Sequence, residues 1–460
     1  MRTVTGLSHA PSGMSQSVAR ASSPHLLTTV GFALYCAYLL SGFANDWSIK
    51  LLGGKAYIST ITLLLLPAAW LLSGNALRGL RHPIGPWWTA FLFWLALATP
   101  FSVWKSGSAM LLWNYVPRGY LCFFYTCAFV TTPRRCRYFM YVNVIGALLL
   151  LLTCMQFGEA GADAGGTRFH IPQSLFYENA NDLALALLLG APSFLFLFSS
   201  RGAAQQIVGA AGAVLSLIYA LKTGSRGCLL AAAVLMAVTF IVSRNRIRLA
   251  ILAAPTLGLA AWLVPSSTVH RLSLVAPTAT ETESSGDLSS ASSQAQRTAL
   301  LKKSLDYTFS HPLLGVGPDQ FAVAVDREAA EAGQHVPWLG THNTYAQISS
   351  ECGVPALIFY CAVIVLCLRG NYRLYRKTRG DAAFPEASRL SLCLLAGMLV
   401  YAVSGFFFHM AYSGNLPLLA GFTSAVQLAA ADHYRAADGL PSAILKVQKP
   451  TLFVGVGNHV

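Results

Sequence analysis

The stretch 341–368, THNTYAQISSECGVPALIFYCAVIVLCL, decides the class of this chain. Val354–Leu368 is apolar throughout, whereas Thr341–Gly353 is polar and opens with the pair His342-Asn343. Apolar runs of about 18 or more residues cross membranes. A titratable imidazole therefore sits where a long polar loop meets a span, and ionisable groups in such places are functional candidates by default.

The rest of the chain agrees with that reading. Of 460 residues, 55% are hydrophobic and 11% charged, and the mean hydropathy is +0.53. Soluble domains carry about 25% charged residues, so the fold class is an all-α polytopic membrane protein. Apolar windows at 26–43, 56–73, 84–101, 116–132, 138–157, 181–198, 205–222, 226–243, 248–265, 351–368, 388–410 and 413–430 predict twelve transmembrane helices. Pro117 and Arg118 interrupt the fourth.

Charge orients these spans, because cytoplasmic loops collect Lys and Arg. With the N-terminus cytoplasmic, the inner loops hold Arg78/Arg81, Arg134/Arg135/Arg137, Arg201, Arg244/Arg246/Arg248 and Arg369/Arg373/Arg376/Lys377/Arg379. The short outer loops hold only Lys50, Lys55, Lys105, Arg168, Lys222 and Arg226. Of the eighteen acids, Asp381, Glu386, Asp432 and Asp438 alone fall inside. The division is then a cytoplasmic N-terminus at 1–25, helices one to nine over 26–265, a large external loop at 266–350, helices ten to twelve over 351–430, and a cytoplasmic tail at 431–460. The polar N-terminus shows no cleavage pattern, so the first span reads as an uncleaved anchor.

The net charge of +14 is topology plus contact with anionic lipid headgroups. Dispersed basic residues facing one leaflet exclude a nucleic-acid partner. The ten cysteines lie in or beside spans or at turns, without CxxC spacing, and read as buried and structural. There is no Walker A, no dinucleotide fingerprint and no DxD. His170, His270, His311, His335 and His409 do not form a ligand set with carboxylates at helical spacing. Neither a metal site nor a cofactor is expected.

The 266–350 loop has two parts. Pro277–Gln296, PTATETESSGDLSSASSQAQ, has no apolar period and is expected to be flexible. Behind Arg297, Leu300, Leu301, Leu305 and Phe309 recur at helical spacing. His311-Pro312 stops that helix, Gly315-Val-Gly317-Pro318 turns, and Phe321–Ala332 offers a second.

Three outer-face features carry chemistry. Lys222-Thr-Gly-Ser-Arg226-Gly227 leaves Arg226 at the start of an apolar helix. That is an anion site at a helix N-terminus, or an interfacial arginine snorkelling to headgroups. Arg297 opens the loop helix as a second anion ligand, or as a solvated side chain. His342 is a base at neutral pH, or a histidine held by a local hydrogen bond. Asn343 and Tyr345 could orient it or bind sugar hydroxyls. Guanidinium forks with a neutral imidazole suit departure of a pyrophosphate and deprotonation of an attacking hydroxyl.

At these residues the chain resembles the O-antigen ligase and polymerase superfamily. HNTYAQISSECGVPALIFY matches the motif that ends the family's large periplasmic loop, although Ala356 stands where a second glycine is commoner. Ser225-Arg226-Gly227 matches the family's Ser-Arg-Gly turn. Arg297 with Leu314-Gly-Val-Gly317 matches its loop arginine and turn, and Glu178-Asn179-Ala-Asn181-Asp-Leu183-Ala184 matches the start of span six. The likeness covers about 160–370; the outer spans share topology only.

The resemblance implies a GT-C-like, metal-independent glycosyltransferase of the bacterial inner membrane. It moves a glycan from undecaprenyl pyrophosphate to a hydroxyl of lipid A-core oligosaccharide. Arg226 and Arg297 hold pyrophosphate and His342 is the base, with Arg168 and Lys105 as further donor or acceptor contacts. A polymerase joining lipid-linked repeats, or a transferase to protein, shares the donor chemistry. A lipid-linked glycan transporter would need polar residues deep in several spans, and spans five to nine are nearly free of interior charge. A catalytically idle assembly protein would not need His342.

Overall fold

The structure, a computed structural model, describes residues 26–53, 57–163, 166–242, 285–334, 338–380 and 384–437, with residues 247 and 258. Helices α1 (Leu26–Leu52), α2 (Ile58–Leu72), α3 (Ile84–Ala98), α4 (Lys105–Tyr115), α5 (Leu121–Phe129) and α6 (Pro133–Phe157) form the first half. A hairpin of β1 (Glu159–Asp163) and β2 (Gly166–His170) follows, then α7 (Ala180–Phe198), α8 (Ala203–Lys222) and α9 (Arg226–Val242). The second half holds α10 (Ser285–Ser310), α11 (Phe321–Glu331), α12 (Thr344–Thr378), α13 (Pro385–Ser404) and α14 (Asn415–Ala437).

Among the described residues, seven helices are long and apolar enough to cross a membrane. They are α1, α3 with the turn after it, α6, α7, α8, α12 and α13; α2 and part of α9 are shorter apolar helices. The protein is therefore a helical, multi-pass membrane protein, with fewer qualifying spans than the twelve windows. Window 116–132 is not one helix: α4 passes through a π turn at Val116–Tyr120 into the nine-residue α5. Pro117 has no N–H to give the previous turn, so the ladder must widen there. Window 413–430 falls within α14, whose apolar content is diluted by a polar seam. There Thr423 accepts from Asn371 at 3.0 Å, and Ser424 and Gln427 meet the His82 ring at 3.1 Å each. Window 248–265 lies outside the described residues apart from position 258.

The connection between α6 and α7 is partly regular. Glu159 pairs with His170 and Asp163 with Gly166 in the antiparallel hairpin, so the chain is not strictly all-α. In the large loop, α10 starts at Ser285, inside the Ser-rich segment read as flexible. Its apolar C-terminal half supplies the nucleus, and propagation then adds one hydrogen bond per residue. Residues 277–284 lie outside the described residues.

What positions the loop is a break in α12. Gly353 has φ +80°, a left-handed conformation that suits glycine, and a Cβ there would collide with the Leu313 carbonyl. Pro355 has no N–H, which leaves the Glu351 carbonyl without its helical donor. The loop supplies the missing partners. Gly317 N–H donates to Glu351 O at 2.8 Å, Val316 N–H to Ser350 O at 2.9 Å, and Val354 N–H to Pro312 O at 2.8 Å. Trp94 Nε1 on α3 donates to Cys352 O at 3.1 Å. Irregular backbone at membrane depth persists only when its polar groups are paired within protein. Here the loop and the span complete one another's hydrogen bonding.

Candidate functional site

The turn Thr223–Ser225 brings α8 back into α9 and sets Arg226 at the first position of that helix. Phe407, from the connection between α13 and α14, packs on Gly227, where a Cβ would lie 2.6 Å from its own Cβ. Arg168 approaches from β2. Its Nε donates to Thr223 O at 2.9 Å and an Nη to Asn181 Oδ1 at 2.7 Å. Asn179 caps α7 by accepting from Asn181 N–H at 2.8 Å, which accounts for the paired asparagines of the sequence motif. Arg297 arrives on α10, and His342 on the loop just ahead of α12.

These side chains line one cavity of about 620 Å³. Its polar lining includes Arg168, Asn181, Ser225, Arg226, Arg297 and His342. Its apolar lining is Leu229, Leu230 and Ala233 of α9, Leu301 of α10, and Phe406 and Phe407. The positive end of the α9 dipole opens into the same space. Burial first, and then the charges of Arg168 and Arg226, lower the Arg297 pKa from its usual 12.5. Three guanidiniums thus share a half-enclosed space, an arrangement that attracts a multiply charged anion.

His342 stands at the edge of this cluster with φ +49°. A non-glycine residue held there carries strain of about 1–3 kcal/mol, which tends to accumulate at functional sites. Burial, and then the Arg297 charge, hold its pKa below the usual 6.5. The imidazole is therefore neutral, and able to accept a proton, at pH 7. Among the described residues no hydrogen bond holds its ring, unlike the locally satisfied histidine that was the alternative reading.

The other sequence candidates divide. Asn343 lines the cavity, but its Oδ1 caps α12, accepting from Tyr345 N–H and Ala346 N–H at 3.0 Å each. Tyr345 does not line the cavity. Its hydroxyl donates to Ala402 O at 2.7 Å and its ring packs 4.7 Å from that of Phe406, so it supports the apolar lining from behind. Lys105 opens α4, is exposed, and takes no part in the lining.

A further polar group lies outside the candidate set. Glu351 is buried, and its Oε2 accepts from Tyr412 Oη at 2.7 Å and Asp319 N–H at 3.0 Å. Donor atoms of Asp319, Glu351 and His409 lie within 4.8 Å of one another, a grouping with the side chains to hold a metal ion. This corrects the expectation that His409 forms no ligand set with carboxylates. Spacing along the chain could not show it, because the three groups come from three separate elements. Phe406, Phe407 and His409 share one connection whose sequence, GFFFHMAYSGN from Gly405, carries no charge to mark it.

No curated protein matches the chain. Residues 211–361 match the family model described as O-antigen ligase. That stretch runs from within α8 through Arg226, Arg297 and His342 into α12. Over that stretch the chain is similar to the O-antigen ligase family.

Proposed function

We propose that the protein transfers an O-antigen-type glycan from undecaprenyl pyrophosphate to a hydroxyl of lipid A-core oligosaccharide, at the periplasmic face of the inner membrane. One observation carries this: three guanidiniums and a neutral imidazole line one cavity together with apolar side chains of two helices and Phe406 and Phe407. A lipid pyrophosphate is an anion attached to an apolar chain, and this cavity offers both environments side by side.

In the reaction, the acceptor oxygen bonds to the anomeric carbon of the donor glycan while the bond from that carbon to the pyrophosphate oxygen breaks. The electron pair leaves with the pyrophosphate, whose developing charge is met by Arg226, Arg297 and Arg168. His342 takes the hydroxyl proton. Undecaprenyl pyrophosphate is released as the second product. No step calls on a metal ion.

A deletion strain tests the acceptor. Loss of long-chain lipopolysaccharide with accumulation of full-length lipid-linked polymer supports ligation; accumulation of single repeats means polymerisation instead. In purified protein, His342→Ala is expected to lower the transfer rate by about 10²–10⁴. Wild-type turnover by that variant would remove the mechanism.

A further inference from the structure

His409 is bonded on both ring nitrogens, and the direction of those bonds can be read. Thr341 Oγ1 donates its one proton to Asn343 O at 3.0 Å. At its 3.1 Å contact with His409 it must therefore accept, so the imidazole carries its proton on Nδ1. At the other nitrogen, Gln347 Nε2 lies 3.0 Å from His409 Nε2. The amide orientation is fixed because Gln347 Oε1 accepts from Ala411 N–H at 3.1 Å. Gln347 therefore donates to a bare Nε2. One polarity runs through the chain: Ala411 N–H to Gln347, Gln347 to His409, His409 to Thr341, Thr341 to Asn343 O.

The last of these bonds joins the two neighbours of His342 across it. The strained φ of +49° at His342 thus lies inside a short loop closed by Thr341, and Thr341 is held by His409. The loop presses on the ring: a Cβ at Gly340 would lie 2.9 Å from His409 Nδ1. Two further bonds stitch the same segments together. Thr344 N–H donates to Gly405 O at 2.7 Å, and Thr344 Oγ1 to Phe408 O at 2.7 Å.

We propose that His409 is a positioning residue. Its neutral Nδ1–H form clamps Thr341 and so holds the His342 imidazole in the left-handed turn that faces the arginines. This rests on His342 being the base. His409 is exposed as a residue, yet the enclosure of its ring, with His342 nearby, pushes its pKa down to about 4, so the clamp is set throughout the neutral range. The same bonds weigh against a metal at Asp319, Glu351 and His409, because the Nε2 lone pair is already taken by Gln347.

The test is transfer kinetics with varied lipid-pyrophosphate donor, on detergent-purified full-length protein matched for thermal unfolding. His409→Leu removes both bonds at similar volume; kcat should fall on the order of 100-fold, the scale of a misplaced catalytic group. The donor KM should stay put, because the arginines are untouched. His409→Asn restores a donor near the Nδ1 position and should recover much of the loss. Thr341→Val should mimic His409→Leu, and the double variant should be no worse than either alone. An active His409→Leu beside an inactive His342→Ala overturns the clamp and leaves the base in place. An active His342→Ala overturns the underlying reading. A fall in kcat with no rescue by Asn, a rise in donor KM instead, or loss to EDTA with recovery on adding Mg²⁺ or Zn²⁺, each overturns positioning.

Discussion

Arginines at the two ends of the helix bundle are used in opposite ways. At the end where α5, α7 and α14 finish, they are absorbed by the protein. Arg78 donates to the carbonyls of Cys127, Val130 and Thr131 and pairs with Asp432 at 2.9 Å. Arg135 donates to Phe129 O and Thr29 Oγ1, Arg137 pairs with Glu386 at 2.8 Å, and Arg389 reaches Ser199 O and Ser200 Oγ. Arg78, Arg135 and Arg389 reach carbonyls at the C-terminal ends of α5 and α7, where the dipole favours positive charge, and Arg137 meets a carboxylate. At the other end Arg168, Arg226 and Arg297 line one cavity, and Arg226 begins a helix whose dipole opposes it. Among the described residues Arg297 meets no carboxylate; what surrounds it electrostatically is two more arginines. One end uses arginine to finish helices, and the other holds like charges together for a ligand that must be negative.

Substitutions can break or sharpen that contrast. The largest effect is expected at the cavity. Arg226→Lys or Arg297→Lys keeps the charge but loses the fork, and a hydrogen bond to a charged group is worth about 1.5–3 kcal/mol. Transfer measured on purified protein should fall roughly 10–100-fold, while thermal unfolding stays near wild type. At the far end the expectation reverses. Arg78→Ala strands three carbonyls, and each buried group left unsatisfied costs about 1–3 kcal/mol. The unfolding midpoint should drop while the donor KM holds; a change in KM with no loss of stability would erase the distinction between the ends.

A subtler effect concerns pH. The Arg297 charge opposes protonation of His342, so Arg297→Gln makes the imidazolium easier to form. The acid limb of the kcat/KM profile should move up toward 6.5, without reaching it because burial persists. A limb that stays put would separate the two residues. The smallest effect is expected at Arg435, whose contact with Asp432 spans 4.0 Å between exposed groups. Arg435→Ala should alter stability by about 0.5 kcal/mol or less.

Much of this was legible in the sequence, and the exceptions share a cause. Helical apolar spacing behind Arg297 marks α10, and His311-Pro312 marks its end at Ser310, because those signals act within a few residues. Arg226 and Arg297 could be named because each stands beside a local signal, a Gly-Ser turn and a helix start, whereas Arg168 came only from the family resemblance. Windows of hydropathy, however, count composition and not continuity, so Pro117 turned one window into a bent pair of helices. They also credited α14, where Thr423, Ser424 and Gln427 face partners inside the bundle. Tyr345 and Lys105 were drawn in by proximity along the chain, while the fold points one into a packing role and leaves the other exposed. His409 could not be found locally at all: its partners Thr341 and Gln347 lie more than sixty positions away.

The break at Gly353 has a consequence for variation among relatives of this chain. The large loop is fastened to the span by main-chain groups of Pro312, Val316 and Gly317. Replacements at Leu313 and Leu314 leave the fastening intact, whereas Gly315 and Gly317, at φ +65° and +115°, have no room for a Cβ. Gain or loss of a single residue between 312 and 317 breaks the fastening, since it slides every donor past its acceptor. Lineages should therefore keep both glycines and the number of residues here, with length changes confined to the Ser-rich stretch upstream.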